Sequence, residues 1–213
     1  MRRGLQTFAE LGYELTTVRE LARRIGVSHN YVNERYGSKL GFWRAVVDFG
    51  CSEIGVLMSP EDARFGDDEL LAAMVLRHYR NVAHHPAIHR VLWDEAARES
   101  ERLDYLYSRY MQPTAVTFLP VLERLIGAGK VEPTSPDLLY FSINGPSAAL
   151  VQRPLARRLA GQEFAKSEDL DPLAKTLGLQ VITSLLPALA ADRIPDVWPV
   201  ASTGTDVRTA SAS

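Results

Sequence analysis

The chain has 213 residues with 24 Lys/Arg against 26 Asp/Glu, a net charge of −2, and 46% hydrophobic residues. That length and apolar content suffice for a buried core and fit a small domain fused to a larger one. Cys51 is the only cysteine, which excludes an intramolecular disulfide and a cysteine-based zinc site. Without a signal peptide or a long apolar run, the expectation is a soluble, cytoplasmic protein with no membrane partner.

The charge is uneven. Residues 1–50 carry eight basic side chains (Arg2, Arg3, Arg19, Arg23, Arg24, Arg35, Lys39, Arg44) and five acidic ones (Glu10, Glu14, Glu20, Glu34, Asp48), a local +3, which leaves −5 for the rest. A phosphate-facing module on an acidic body has this asymmetry.

In chain order, residues 3–11 read as a helix with Leu5, Phe8 and Ala9 inward and Gly12 closing it. Thr17 followed by Glu20 is a capping-box pattern that starts a second helix, with Val18, Leu21, Ala22 and Ile25 on one face. Gly26 supplies a left-handed turn, and Ser28 is expected to cap a third helix. In that helix Val32 and Tyr36 face the second helix, leaving Asn30, Asn33 and Glu34 outward with His29 and Tyr31 on the flanks. Two short helices around a glycine turn form the helix-turn-helix pattern, whose second helix reads base edges in the DNA major groove.

Ser38 caps a fourth helix, read as running about twenty residues to Met58 and forming the only rigid link to the body. A loop at 59–68 follows. Further helices are expected at 69–84, from Pro86 to about Glu99, and at 101–127 with a kink near Met111–Thr114 imposed by Pro113. Another is expected at 136–150, then a basic turn at 153–161, then a last helix at 172–191. The polar, Gly/Pro-punctuated residues 193–213 are expected to be disordered. The fold class is all-α, with domains at 1–45 and 46–192 ahead of that tail.

Residues 8–39, FAELGYELTTVRELARRIGVSHNYVNERYGSK, resemble the DNA-binding domain of TetR-type transcriptional regulators. Phe8, Ala9, Gly12, Tyr13, Thr16, Thr17, Val18, Glu20, Leu21, Ala22, Gly26, Val27, Ser28, Val32, Tyr36, Ser38 and Lys39 match the pattern. Asn33 stands where the family usually has an aromatic residue, Leu40 where it has an acid, and Met1–Arg3 form a shorter basic arm than many members carry. The resemblance implies phosphate contacts at Thr17, Ser28, Tyr36 and Lys39. Asn30 and Asn33 suit paired hydrogen bonds to bases, with His29 or Tyr31 flanking.

The resemblance also implies a double-stranded DNA operator and a homodimer through the last two long helices, with Leu139, Ile143, Ala148, Val151, Ile182, Leu185, Leu186 and Leu189 suited to that interface. It further implies a cavity in the body for an apolar or aromatic small-molecule effector. Met74, His78, Trp93, Tyr107, Tyr110, Met111, Phe118, Phe141 and Asn144 are candidates to line it. The implied function is a ligand-released repressor, with a regulator answering a protein partner or no ligand as the alternative.

No nucleophile elbow, phosphate-binding glycine loop or HExxH motif is present, so no catalytic residue or cofactor is assigned. A helical metal-dependent enzyme using His84, His85 and His89 is the distant alternative. Two histidines at i, i+4 without a committed third ligand weigh against it.

Overall fold

The computed structural model describes residues 1–164 and 169–198. Every regular element among them is helical. Helices α1 (Arg2–Leu15), α2 (Val18–Ile25), α3 (Tyr31–Tyr36) and α4 (Lys39–Ser52) come first. They are followed by α5 (Asp67–His84), α6 (Pro86–Ala96), α7 (Glu101–Leu106), α8 (Gln112–Gly127) and α9 (Pro136–Asn144). Short α10 (Ala148–Val151), then α11 (Arg153–Phe164) and α12 (Asp171–Leu185), complete the set.

Two apolar cores organise these helices. The first gathers Leu5, Phe8, Leu21, Val32, Phe42, Trp43 and Val46 of α1–α4, and it also takes Ile88 and Val91 of α6 and Leu106 of α7. The second is built from α5 with Val121, Leu122 and Leu125 of α8, Leu139 and Ile143 of α9, and Ala174, Val181 and Ile182 of α12. Glycines set the closest approaches. A Cβ on Gly4 would lie 2.8 Å from the Phe42 ring, and one on Gly178 would lie 3.0 Å from Leu76.

Several expectations change. Helix α4 ends at Ser52, because residues after Glu53 leave helical geometry ahead of Pro60. It is also not the only link, since α6 and α7 pack directly into the first core. The run expected at 101–127 divides at a π-turn, Tyr107–Met111, just before Pro113, whose ring nitrogen has no hydrogen to donate. The helix expected at 136–150 is interrupted by a 3₁₀ turn at Gly145–Ser147. The segment read as a basic turn is helix α11, and α12 stops at Leu185.

Leu139, Ile143, Val151, Ile182 and Leu186, expected at a dimer interface, are instead buried within the chain. The outward face of α9 carries Leu138, Tyr140 and Phe141. A period-3.6 pattern marks both an inner and an outer apolar face on such a helix and does not say which is which.

Of the tail expected to be disordered, residues 193–198 pack on the body. Arg193 pairs with Glu69 at 3.1 Å, Arg80 donates to the Val197 carbonyl, and Trp198 lies against the second core. Residues 199–213 fall outside the described residues. No helix of the described residues is long and apolar enough to cross a membrane.

Candidate DNA-binding surface

The helix-turn-helix is held by local chemistry that the sequence anticipates in part. Thr17 Oγ1 accepts from the Glu20 N–H at 3.1 Å, so α2 begins there. The capping box is not closed: the Glu20 carboxylate turns to Arg23 and Arg24, at 2.6 and 2.7 Å, instead of back to Thr17. Those two guanidinium groups hold the Glu20 carboxyl at about 2, and the outcome is an exposed ion-pair cluster on α2. Just upstream, Thr16 is buried and donates to the Gly12 carbonyl at 2.6 Å. Gly12 has φ of 73°, a left-handed value that kinks α1 before its last three residues.

Gly26, at φ 79° and ψ 40°, caps α2, and both Gly26 and Val27 donate to the Ala22 carbonyl at 3.0 Å. Ser28 does not cap α3 with its side chain. Its carbonyl accepts from Tyr31 at 3.1 Å, and α3 starts at Tyr31 with Asn30 before it. The recognition helix is thus six residues long. It is fixed from behind: Val32 is fully buried, Tyr36 packs edge-on against Phe42 at 5.0 Å, and Tyr31 packs edge-on against Tyr36 at 6.2 Å. Ser38 Oγ accepts from Gly41 N–H at 3.0 Å to open α4. A Cβ on Gly41 would sit 2.1 Å from the Tyr36 carbonyl oxygen, so only glycine allows this α3–α4 corner.

The result is a row of exposed hydrogen-bonding side chains. Ser28, His29, Asn30, Asn33, Glu34 and Arg35 are all exposed, and Thr17 is exposed at the start of α2. Tyr31 and Tyr36 are half-buried, with their rings spent on packing. Lys39 differs most from expectation. Its Nζ donates to the Tyr13 carbonyl at 3.0 Å and lies 4.0 Å from the centre of the Tyr13 ring, and burial lowers its pKa. It therefore fastens α4 to α1 rather than reaching outward. Sequence reasoning passed over Arg35. It lines an open groove of about 780 Å³ beside α3 together with Arg2, Arg3, Tyr31 and Phe42. The excess of basic residues in the first 50 was the signal that could have found it.

The residues proposed to line an effector cavity do not gather in one place. Met74 is buried in the second core and Phe118 packs against it. Tyr107 and Phe141 are exposed, at 55% and 63%. Asn144 Nδ2 donates to the Tyr140 carbonyl of its own helix at 2.8 Å. Trp93 and Met111 are half-buried. Tyr110 donates to Asp48 of α4 at 2.5 Å. His78 packs edge-on against Tyr79 and His89, with ring centres 5.5 and 6.0 Å away. The Nε2 atoms of His78 and His89 are both buried without a hydrogen-bond partner, and burial lowers their pKa values to about 4 and about 3.

The histidines proposed for metal separate. His84 Nε2 is 2.8 Å from Asp171 Oδ1, while His89 turns inward to His78. Among the described residues no group of three or more His, Cys, Asp or Glu side chains could hold a metal ion. Cys51 is half-buried; burial, and secondarily Asp48, push its thiol up to about 12, so it is not a ready thiolate.

A short, polar, firmly backed helix after a glycine turn has the form of the helix-turn-helix by which DNA-binding proteins enter the major groove. The sequence profile of bacterial regulatory proteins of the tetR family matches residues 1–46. The match spans α1–α3 and the first half of α4 and identifies that segment as a DNA-binding domain of the tetR type. Solved structures share the fold across most of the chain. The ketosteroid transcriptional regulator KstR2 of Mycobacterium tuberculosis is 21% identical, with a TM-score of 0.63 over 87% of this chain and 92% of its own. AibR, determined with isovaleryl coenzyme A and operator DNA, is 15% identical, with a TM-score of 0.63 over 87% and 97%. PfmR from Thermus thermophilus is 16% identical, with a TM-score of 0.53 over 84% and 91%. No curated protein matches the chain.

Proposed function

We propose that the protein is a homodimeric repressor that binds a pseudo-palindromic operator and is released by a small, largely apolar effector bound in its body. The exposed row at Asn30 and Asn33, held rigid by Val32 and the Ser38–Gly41 corner, carries this reading. Asparagine is suited to bidentate bonding with adenine, and each such contact contributes about 1–3 kcal/mol of discrimination. Thr17, Ser28, His29 and Arg35 then serve phosphate and flanking contacts, whereas Tyr31 and Tyr36 hold the helix and offer their hydroxyls at its edge.

Two recognition helices about 34 Å apart would read successive major grooves. The exposed apolar side chains Leu138, Tyr140 and Phe141 of α9 are the surface we assign to the dimer. For the effector, the buried Nε2 atoms of His78 and His89, which have no hydrogen-bond partner and lie on rings packed against each other, are the polar atoms we assign to it. AibR, the similar regulator determined with an acyl-coenzyme A and operator DNA, supports an effector-responsive body.

The test is fluorescence anisotropy on DNA from upstream of the protein's own gene and on scrambled DNA, across a salt series. Selective binding with a steep salt slope is the expected result. Equal affinity for both DNAs at every salt concentration would overturn the operator reading.

A further inference from the structure

Residues 101–111 are continuous with α8 of the body, yet they pack on the DNA-binding unit. Leu106 is fully buried in the first core, and the Tyr105 ring meets Trp43 edge-on at 6.1 Å. Beyond the π-turn, Val121, Leu122 and Leu125 of α8 belong to the second core. The π-turn therefore lies where one helical run passes from one core to the other.

Its geometry has a specific effect. In an α-helix, residues five apart point about 140° away from each other, at 3.6 residues per turn. A turn closed by i to i+5 bonds, such as Gln112 N–H to Tyr107 O, brings them toward one side. Tyr105 and Tyr110 are five apart, and both hydroxyls donate to Oδ1 of Asp48 at 2.5 Å. Arg109 Nε stands 3.6 Å from the same oxygen. Asp48 is on α4, whose first turn forms the Ser38–Gly41 corner behind the recognition helix.

We infer that Asp48 is a positioning residue for DNA recognition: the π-turn aims Tyr105 and Tyr110 at its carboxylate and so fixes α4, and with it α3, relative to the body. Movement of α8 that relaxes the π-turn toward α geometry separates the two tyrosines and frees α4. This deepens the regulator proposed above and rests on its dimeric reading.

The test uses the full chain in a Cys51→Ser background with a spin label at Arg19→Cys, an exposed position on α2. Distances between labels across the dimer are measured for that protein, for the Tyr105→Phe/Tyr110→Phe variant and for Tyr110→Phe alone. The changes remove hydroxyls and leave the packed rings in place. The expected result is a single narrow distance in the parent and a shifted, broadened distribution in the double variant, with a smaller shift in Tyr110→Phe. Selective DNA affinity should fall about tenfold in the double variant, a loss of about 1.4 kcal/mol that is close to the worth of a single hydrogen bond to a charged acceptor, while affinity for scrambled DNA stays unchanged. Parent-like distances and selective affinity in both variants would overturn the inference, as would a loss of thermal stability with the distances unchanged. A parent protein that gives no inter-protomer distance removes the dimer reading, and the inference falls with it.

Discussion

The Arg102 guanidinium lies 3.9 Å from the centre of the Tyr13 ring while it binds Glu95 at 2.8 Å and Glu14 at 2.9 Å. Arg102 comes from α7, Glu95 from α6, and Tyr13 and Glu14 from the end of α1. Lys39, at the start of α4, approaches the same ring at 4.0 Å. One aromatic side chain therefore gathers cations from two helices at the seam where body helices meet the DNA-binding unit, and cation–π attraction adds to the ion pairs there.

Arg102→Met tests the value of that junction. Glu95 is 2% exposed, and Arg102 is the basic partner bonded to it. Removing one member of a buried pair leaves an uncompensated charge, so a loss of about 3–5 kcal/mol is expected in urea unfolding. Arg102→Met combined with Glu95→Leu should recover a large part of it, because the costly species is the lone carboxylate. A loss no larger than for an exposed ion pair, about 1 kcal/mol or less, would show that water reaches Glu95.

Base reading and phosphate holding separate on α3. Asn33→Ala is expected to weaken selective DNA by about 1–3 kcal/mol and to leave scrambled DNA unaffected. Arg35→Ala should weaken both DNAs alike and reduce the salt slope by about one. The opposite pattern, equal losses for Asn33→Ala on both DNAs, would assign Asn33 to the backbone instead.

The contrast between these residues also shows what the sequence could disclose. The helix-turn-helix was legible because its determinants are local: Thr17 caps α2, Gly26 turns the chain, Ser38 caps α4, and each acts within four residues. The roles of Glu20 and Lys39 were not, because Glu20 chooses among several partners within four residues, Thr17 on one side and Arg23 and Arg24 on the other, and Lys39 takes a partner far along the chain. Lys39 finds the Tyr13 carbonyl 26 positions away. The π-turn was approached through Pro113, which marks a disturbance but not its type. The body was the least legible part. Apolar spacing on α9 and α12 gave two faces for each helix, and only packing into the second core decides that Leu139 and Ile182 turn inward while Phe141 turns out.

Phe141 gives the dimer a direct test. It is 63% exposed and adjoins Leu138 and Tyr140, which are also exposed. Phe141→Glu should leave the fold of each protomer intact, since a substitution at an exposed site rarely shifts stability by more than about 0.5 kcal/mol. At an interface the same charge would be desolvated without a partner. Sedimentation is expected to show monomers for Phe141→Glu and dimers for the parent. A variant that remains dimeric would place the interface on another face.

Stability should fall on mild acidification, and the cause is internal. His78 and His89 have pKa values held near 4 and 3 by burial, with His78 and His85 adding further to the effect on His89. The unfolded chain takes up a proton at each near pH 6.5, whereas the folded chain does so only far below. Between these limits the unfolded state binds more protons, so stability is complete above about pH 6.5 and declines as the pH falls. From pH 7 to pH 5 each histidine should contribute a loss on the order of 1–2 kcal/mol. The carboxyls of Asp62 and Asp67, held low by Arg77 and Arg124, lose their stabilising charge only at lower pH, so the window from pH 7 to 5 belongs to the histidines. His85, also lowered by burial, acts in the same direction. His89→Leu removes one titrating ring and one buried nitrogen that has no partner. Urea unfolding at pH 7, 6 and 5 should therefore show a shallower pH dependence for His89→Leu, with stability at pH 7 equal to or above that of the parent. An unchanged pH slope would mean that His89 is protonated or solvated in the native protein.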